Sequence, residues 1–305
     1  MAAPPDKAEI SAPFPNPSNA TARAGFGKLW ETLFGAGGLL GSTGNPAEAR
    51  AALGIGSTIS GRQRLVNGNF AINQLGVTSP VTLAAGAYGH DQWKAGPTGC
   101  TYSFATVGGV TTITITAGSL VQPIEGLNIE AGTYTVSRTG TAQGRVLGGV
   151  YAAAPFQITG VAGGSTLSVE FGTGTLSLVQ VEPGTVVTPF ERRPFGLELS
   201  LCQRYFQPFN YFGGTTCAAN ALHFSVATGV QMRATPTVTN AASGAGSASA
   251  AIYTGSAWFQ TPVAANTAGA LSQVGATVLL AYPYFGAVAG WPGSIAIAGT
   301  LSARL

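Results

Sequence analysis

Thr111-Thr-Ile-Thr-Ile-Thr116 alternates with a period of two, which puts Ile113 and Ile115 on one side of an extended chain and Thr112, Thr114 and Thr116 on the other. The same period recurs in Thr133-Tyr-Thr-Val136, Thr166-Leu-Ser-Val-Glu-Phe171 and Thr175-Leu-Ser-Leu-Val-Gln-Val181. Turn signals separate these runs at Gly108-Gly109, Ala131-Gly132, Gly163-Gly164 and Gly172-Thr-Gly174. Short strands at a spacing of about ten residues predict a two-sheet sandwich over 65–194, with a jelly roll as its topology.

Outward from this region the texture changes twice. In Pro194-Phe-Gly-Leu-Glu-Leu-Ser-Leu-Cys-Gln-Arg-Tyr-Phe206, residues Leu197, Leu201 and Tyr205 share one helical face, which predicts a connecting helix over 195–206. Strand patterns return at Leu222–Val226, Thr237–Thr239, Ala250–Tyr253, Thr277–Tyr282 and Ser294–Thr300, so 207–305 reads as a second β-sandwich domain with Phe224 among its core residues. Asn240-Ala-Ala-Ser-Gly-Ala-Gly-Ser247 reads as a flexible loop. The apolar span 274–291 is broken by Pro283 and repeated Gly and has no basic flank, so it reads as buried β-structure rather than a membrane span.

Residues 1–64 form a separate, mostly coreless region with a Pro-rich leader. Phe26, Leu29, Trp30, Leu33 and Phe34 fall at i, i+3, i+4, i+7, i+8 and predict a short amphipathic helix. Asn45-Pro-Ala-Glu48 carries a helix start signal, and Gly54 ends that helix after Leu53. Helices this short need a partner surface, since nucleation costs more than two turns return. The mainly β chain therefore divides into 1–64, 65–194, 195–206 and 207–305.

Composition narrows the function. Hydrophobic residues make up 45% of the 305 residues and charged ones only 8%, with a net charge of +3, so neither disorder nor phosphate binding fits. After Phe206 the only charged residues are Arg233 and Arg304, which suits burial along a subunit interface. Two Asp (Asp6, Asp91) and two His (His90, His223) leave little for acid–base chemistry, so a non-enzymatic role is expected, with no cofactor and no metal. Cys100, Cys202 and Cys217 match no zinc spacing and read as free buried thiols. The start lacks a basic stretch followed by an apolar core, so no export signal is expected.

Three stretches carry a resemblance: Leu65-Val-Asn-Gly-Asn-Phe-Ala-Ile-Asn-Gln74, Asp91-Gln-Trp93, and Pro189-Phe-Glu-Arg-Arg-Pro-Phe-Gly-Leu-Glu-Leu-Ser-Leu-Cys-Gln-Arg-Tyr-Phe206. With Asn45–Gly54 and Met232-Arg-Ala-Thr-Pro236, they resemble tail-fibre and receptor-binding proteins of tailed bacteriophages and prophages over about 45–240. The chain departs from the family's Asp-Arg-Trp in carrying Gln92. The resemblance implies a jelly roll akin to carbohydrate-binding modules, a homotrimeric fibre assembled in the host cytoplasm, and a bacterial surface polysaccharide as target. Residues 1–44 would then attach to other tail or baseplate proteins, with no nucleic acid partner and no membrane insertion. The alternatives are a purely structural collar, head fibre or decoration protein, and a glycan-degrading tailspike built on Glu125, Glu130, Glu170 and Glu182.

Sugar contacts pair an aromatic face with a few polar groups. Trp93 with Asp91 and Tyr88 forms one candidate set, set against a core role for Trp93 and a turn-capping role for Asp91. Tyr253, Trp258 and Trp291, near loops of the terminal domain, form the second, also set against core packing. His90-Asp91 reads as no catalytic pair, since neighbours on a strand point to opposite faces. Glu191-Arg192-Arg193 reads as a solvated or inter-subunit charge cluster.

Overall fold

The computed structural model describes residues 29–33, 61–218, 221–240, 249–253, 258–262, 269–274, 276–283 and 292–305. Residues 1–61 with 188–191 form one unit, and 62–187 with 192–305 form another. Within the first, 29–33 are helical, inside the helix expected from Phe26, and the Gly61 N–H donates to Glu191 Oε1 at 2.6 Å. The helix expected at 45–54 lies outside the described residues.

The sandwich begins at residue 62 rather than 65, because Gln63 is already part of it. Its Nε2 donates to Val179 O at 2.7 Å, and its Oε1 accepts from Leu65 and Val181 N–H at 3.1 and 3.0 Å. Eight antiparallel strands follow: β1 (Val81–Leu83), β2 (Lys94–Val107), β3 (Val110–Ile124), β4 (Gly132–Gly140), β5 (Gly144–Val146), β6 (Phe156–Val161), β7 (Leu167–Phe171) and β8 (Gly174–Pro183). The hydrogen-bonded order is β1-β2-β3-β8-β4-β6, with β7 and then β5 branching from the far half of β3. β3 pairs with β8 through Ile113–Ile115 and with β7 through Leu120–Ile124, so its two halves take different neighbours. Register shifts in β2 between Ala95 and Cys100, opposite Gly118, bend the β2–β3 hairpin between them.

The quoted alternation is realised: Ile113 and Ile115 are buried and Thr112 and Thr114 half-buried. Each buried Ile contributes roughly 1.5–3 kcal/mol. Gly108 and Gly109, both at positive φ, make the two-residue turn that joins β2 to β3. Val136, Val169, Phe171, Leu176, Val179 and Val181 join the two isoleucines in one core. Cys100 lies beside them as a free thiol that burial pushes up to about 12, and Cys202 is also free and buried.

The connecting helix α1 spans Phe195–Gln203 and stops short of 206, because Phe206 opens the next strand. Its buried face corrects the expected stripe. Glu198 and Cys202 point inward, while Leu197 is 51% and Phe195 64% exposed. The inward carboxylate accepts the Asn67 N–H and pairs with Arg193 at 3.4 Å, and these contacts set the rotation of a helix that is apolar nearly all round. Tyr205, expected on the helix, lies past its end and is buried.

A second antiparallel sheet comprises β9 (Phe206–Ala218), β10 (Ala221–Ala227), β11 (Thr237–Asn240), β12 (Ser249–Tyr253), β13 (Trp258–Pro262), β14 (Gly269–Val274), β15 (Thr277–Pro283) and β16 (Pro292–Ser302). Its order is β13-β12-β16-β9-β10-β15-β14, with β11 also on β16. The sheet opens between β9 and β10, which pair only where Thr216–Ala218 meet Ala221–His223. Phe224 and Val226 lie opposite Leu280 and Val278, all four buried, so the apolar span after 274 supplies a buried strand. The molecule is mainly β, with sandwich-like antiparallel sheets and little helix.

Candidate functional site

The expected sugar site around Trp93 is interior. Trp93 is fully buried, its ring centroid 4.7 Å from that of Phe70, and its Nε1 donates to Asn67 O at 3.0 Å. Asn67 adopts φ 57°, a conformation Asn tolerates better than most residues. From there its side chain donates to Ile72 O and Asp91 O, at 2.8 and 3.1 Å, and accepts the Ile72 N–H at 2.9 Å. Gly68 follows because a Cβ there would lie 2.2 Å from Val179 O. Thus Leu65–Gln74 and Asp91–Trp93 form one buried structural unit.

Asp91 is fully buried and accepts both the backbone and side-chain N–H of Gln74, each at 2.6 Å, so it holds a turn rather than a ligand. Burial raises its pKa, against the pull of those two bonds. Tyr88 is also occupied. Its hydroxyl donates to Leu305 O, which accepts from Lys94 Nζ at 2.9 Å as well. The Arg304 guanidinium lies 4.4 Å from the Tyr88 ring and 3.9 Å from that of Phe206, and burial lowers its pKa to about 10. Tyr88 and Asp91 therefore join the sandwich to the second sheet, and Gln74 completes that junction by donating to Phe206 O at 2.8 Å.

His90 and Asp91 sit in a turn, not on a strand, and are separately engaged. His90 Nδ1 lies 3.0 Å from Tyr102 Oη, and burial lowers the imidazole pKa to about 4.

Each of the four glutamates considered for catalysis meets a guanidinium. Glu182 pairs with Arg62 at 2.9 Å, Glu130 with Arg64 at 2.9 Å, Glu170 with Arg145 at 2.7 Å and Glu125 with Arg204 at 3.1 Å. Burial pushes the Glu170 carboxyl up, but hydrogen bonds from Arg145 and Ser119 outweigh it and hold the pKa below its ordinary value. The Tyr134 hydroxyl, with Arg64, does the same for Glu130. A glycosidase acid needs the opposite shift.

Among the described residues a cleft of about 220 Å³ lies elsewhere. Gln63, Arg64 and Val66 form one wall, Arg193 and Leu201 another, and the turn bearing Leu127 and Asn128, with Glu130 just after it, closes it. That turn is a 3₁₀ segment, Gly126–Asn128, which leaves Leu127 84% exposed and Asn128 exposed at the rim. Arg193, read from sequence as part of a solvated or inter-subunit charge cluster, is not solvated but fixed by Leu65 O at 2.9 Å, by Gln63 O and by Glu198. Donors, acceptors and apolar side chains thus face one another across a space below the roughly 300–1,000 Å³ of drug-sized pockets, enough for one ring-sized group.

Sequence reasoning missed this cleft because its walls lie about 65 and 130 residues apart along the chain. The available signal was that two of the resembling stretches, Leu65–Gln74 and Pro189–Phe206, supply Val66, Arg193 and Leu201. Of the terminal candidates, Tyr253 and Trp258 are directly paired across β12 and β13, and their side chains lie outside the described residues, as does the whole of Trp291.

No protein-family model matches the chain, and no curated protein matches it. Among solved structures, it is similar to the N-terminal tandem CBM22 domains of Paenibacillus barcinonensis Xyn10C at 8% identity and a TM-score of 0.21, over 74% of this chain and 99% of that one. A conserved protein of unknown function from Pseudomonas aeruginosa PAO1 aligns at 12% identity and a TM-score of 0.11, over 73% and 98%.

Proposed function

We propose that the chain is a non-enzymatic virion protein, a tail fibre of a tailed bacteriophage or prophage that recognises its host by binding a surface glycan. The observation that supports this reading best is the cleft, which takes Val66, Arg193 and Leu201 from two of the stretches that resemble receptor-binding proteins and whose lining mixes hydrogen-bonding groups with Leu127 and Leu201. A sugar ring presents apolar C–H faces and a polar edge, and this lining matches both. The neutralised glutamates favour binding over cleavage. Host recognition would use a homotrimer, in which three weak sites act together through effective concentration. Residues 1–44 would attach the fibre to tail or baseplate proteins. Incubation of the purified protein with host envelope polysaccharide tests the reading: polysaccharide retained without release of reducing ends supports it, and released reducing ends overturn it.

A further inference from the structure

Behind the cleft, and sharing Arg64, Val66 and Asn128 with it, lies a chamber of about 10 Å³. Gln92, Gln122, Glu125 and Tyr205 also line it. That volume matches one water-sized group. Gln92 is 2% exposed and held at φ 66°, and its Nε2 has no hydrogen-bond partner. A buried amide donor in that state calls for an acceptor.

The Gln122 amide and the Tyr205 hydroxyl of the chamber are committed. Gln122 accepts the Val66 N–H at 2.9 Å and donates to Val66 O at 2.7 Å, so its side chain pairs with that residue as a strand would. Tyr205 Oη donates to Glu125 Oε2 at 3.0 Å. Glu125 also receives Arg204, yet a carboxylate has lone pairs for about four donors and keeps capacity to accept another. An occupant must therefore accept from Gln92 and is best served by donating to Glu125. A hydroxyl does both. An ionised carboxylate has no proton to donate to Glu125, a methyl group would leave Gln92 unsatisfied, and an acetamido group exceeds the space.

We propose that the chamber is a specificity subsite for one neutral hydroxyl group, the exocyclic hydroxymethyl arm of a hexopyranose whose ring lies in the cleft. This rests on reading the cleft as a glycan site. A space for one ring further selects a chain end or side branch over an internal repeat. Gln92 is then a specificity residue, and the glycan class is one with exposed neutral hexoses.

The test titrates the full chain with methyl gluco-, galacto- and mannopyranosides, each beside its 6-deoxy and uronic acid counterparts, followed by saturation-transfer NMR. The expected result is that at least one hexoside binds while its two counterparts bind about tenfold or more weakly, as sites built to hydrogen-bond a hydroxyl do. Gln92→Gly tolerates the positive φ and should bring the three ligands within about threefold of one another. Equal binding of the hexoside and its 6-deoxy form by the natural chain, lost in Asn128→Ala, overturns the subsite and leaves the cleft standing. Discrimination that persists in Gln92→Gly also overturns the subsite. If no hexoside binds, the subsite falls, and if host polysaccharide is not retained either, the glycan reading falls with it.

Discussion

The Trp93 indole N–H donates to the Asn67 carbonyl oxygen at 3.0 Å, which ties Asp91–Trp93 to the loop opened by Asn67. Because Trp93 is fully buried, Trp93→Ala should destabilise the protein by about 3–5 kcal/mol, through lost burial and the cavity left behind. Trp93→Phe keeps a ring and loses only the indole bond, because the Asn67 oxygen still accepts the Phe70 N–H at 3.0 Å, so it should cost about 0.5–1.5 kcal/mol. Urea denaturation measures both, and an unchanged midpoint for Trp93→Ala would contradict the core assignment.

Arg193 and Glu198 form a shielded ion pair, with side chains 11% and 10% exposed. Removing only the cation, as in Arg193→Met, should cost about 3–5 kcal/mol because Glu198 is left buried without its charge partner. The double variant Arg193→Met/Glu198→Leu should be more stable than Arg193→Met alone. A double-mutant cycle showing simple additivity would refute the coupling.

His90 gives the stability a pH dependence of defined sign. Its folded pKa is about 4, against 6.5 for the unfolded chain, so between these values the unfolded state takes up a proton that the folded state refuses. The stability contributed by neutral His90 is fully present above pH 6.5 and lost as pH falls towards 4, on the order of 3 kcal/mol in all. Melting temperatures should drop over that window, and less so in His90→Gln. Parallel curves for the two proteins would exclude His90 as the source.

Much of the fold is legible because a half-buried strand writes its pleat into the residues. Ile113, Tyr134, Val169 and Val179 all lie in runs whose period announces a strand, and each is buried. No alternating run marks β2, because Gly96, Pro97 and Gly99 interrupt the period where they occupy the bulge that bends the hairpin. The pattern over 195–206 points to a helix, which runs Phe195–Gln203, but does not show which face turns inward. A helix with leucine at every second position has no single apolar stripe, and Glu198 found its partners inside. Trp93 and Asp91 could be read as site or core with equal chemistry, and only tertiary contacts decide between them. The cleft needed the meeting of residues 64, 128 and 193, which no local pattern encodes.

The scarcity of charge after Phe206 leads to an expected homotrimer with no stable monomer. Light scattering at micromolar concentration should give three times the chain mass, and a monodisperse monomer would contradict it. A chain beginning at Gly61 should stay folded and fail to join virions, and incorporation of that chain would remove the attachment role from the preceding residues.

Glycan binding at the cleft is the central claim, and calorimetric titration of host surface oligosaccharide into the natural chain and into Leu127→Ala and Asn128→Ala tests it most directly. Both residues are exposed at the rim, so each substitution should leave stability within about 0.5 kcal/mol. The predicted result is saturable binding by the natural chain that weakens severalfold or more in both variants at unchanged melting temperature. Equal binding by all three proteins, or none by the natural chain, would contradict it.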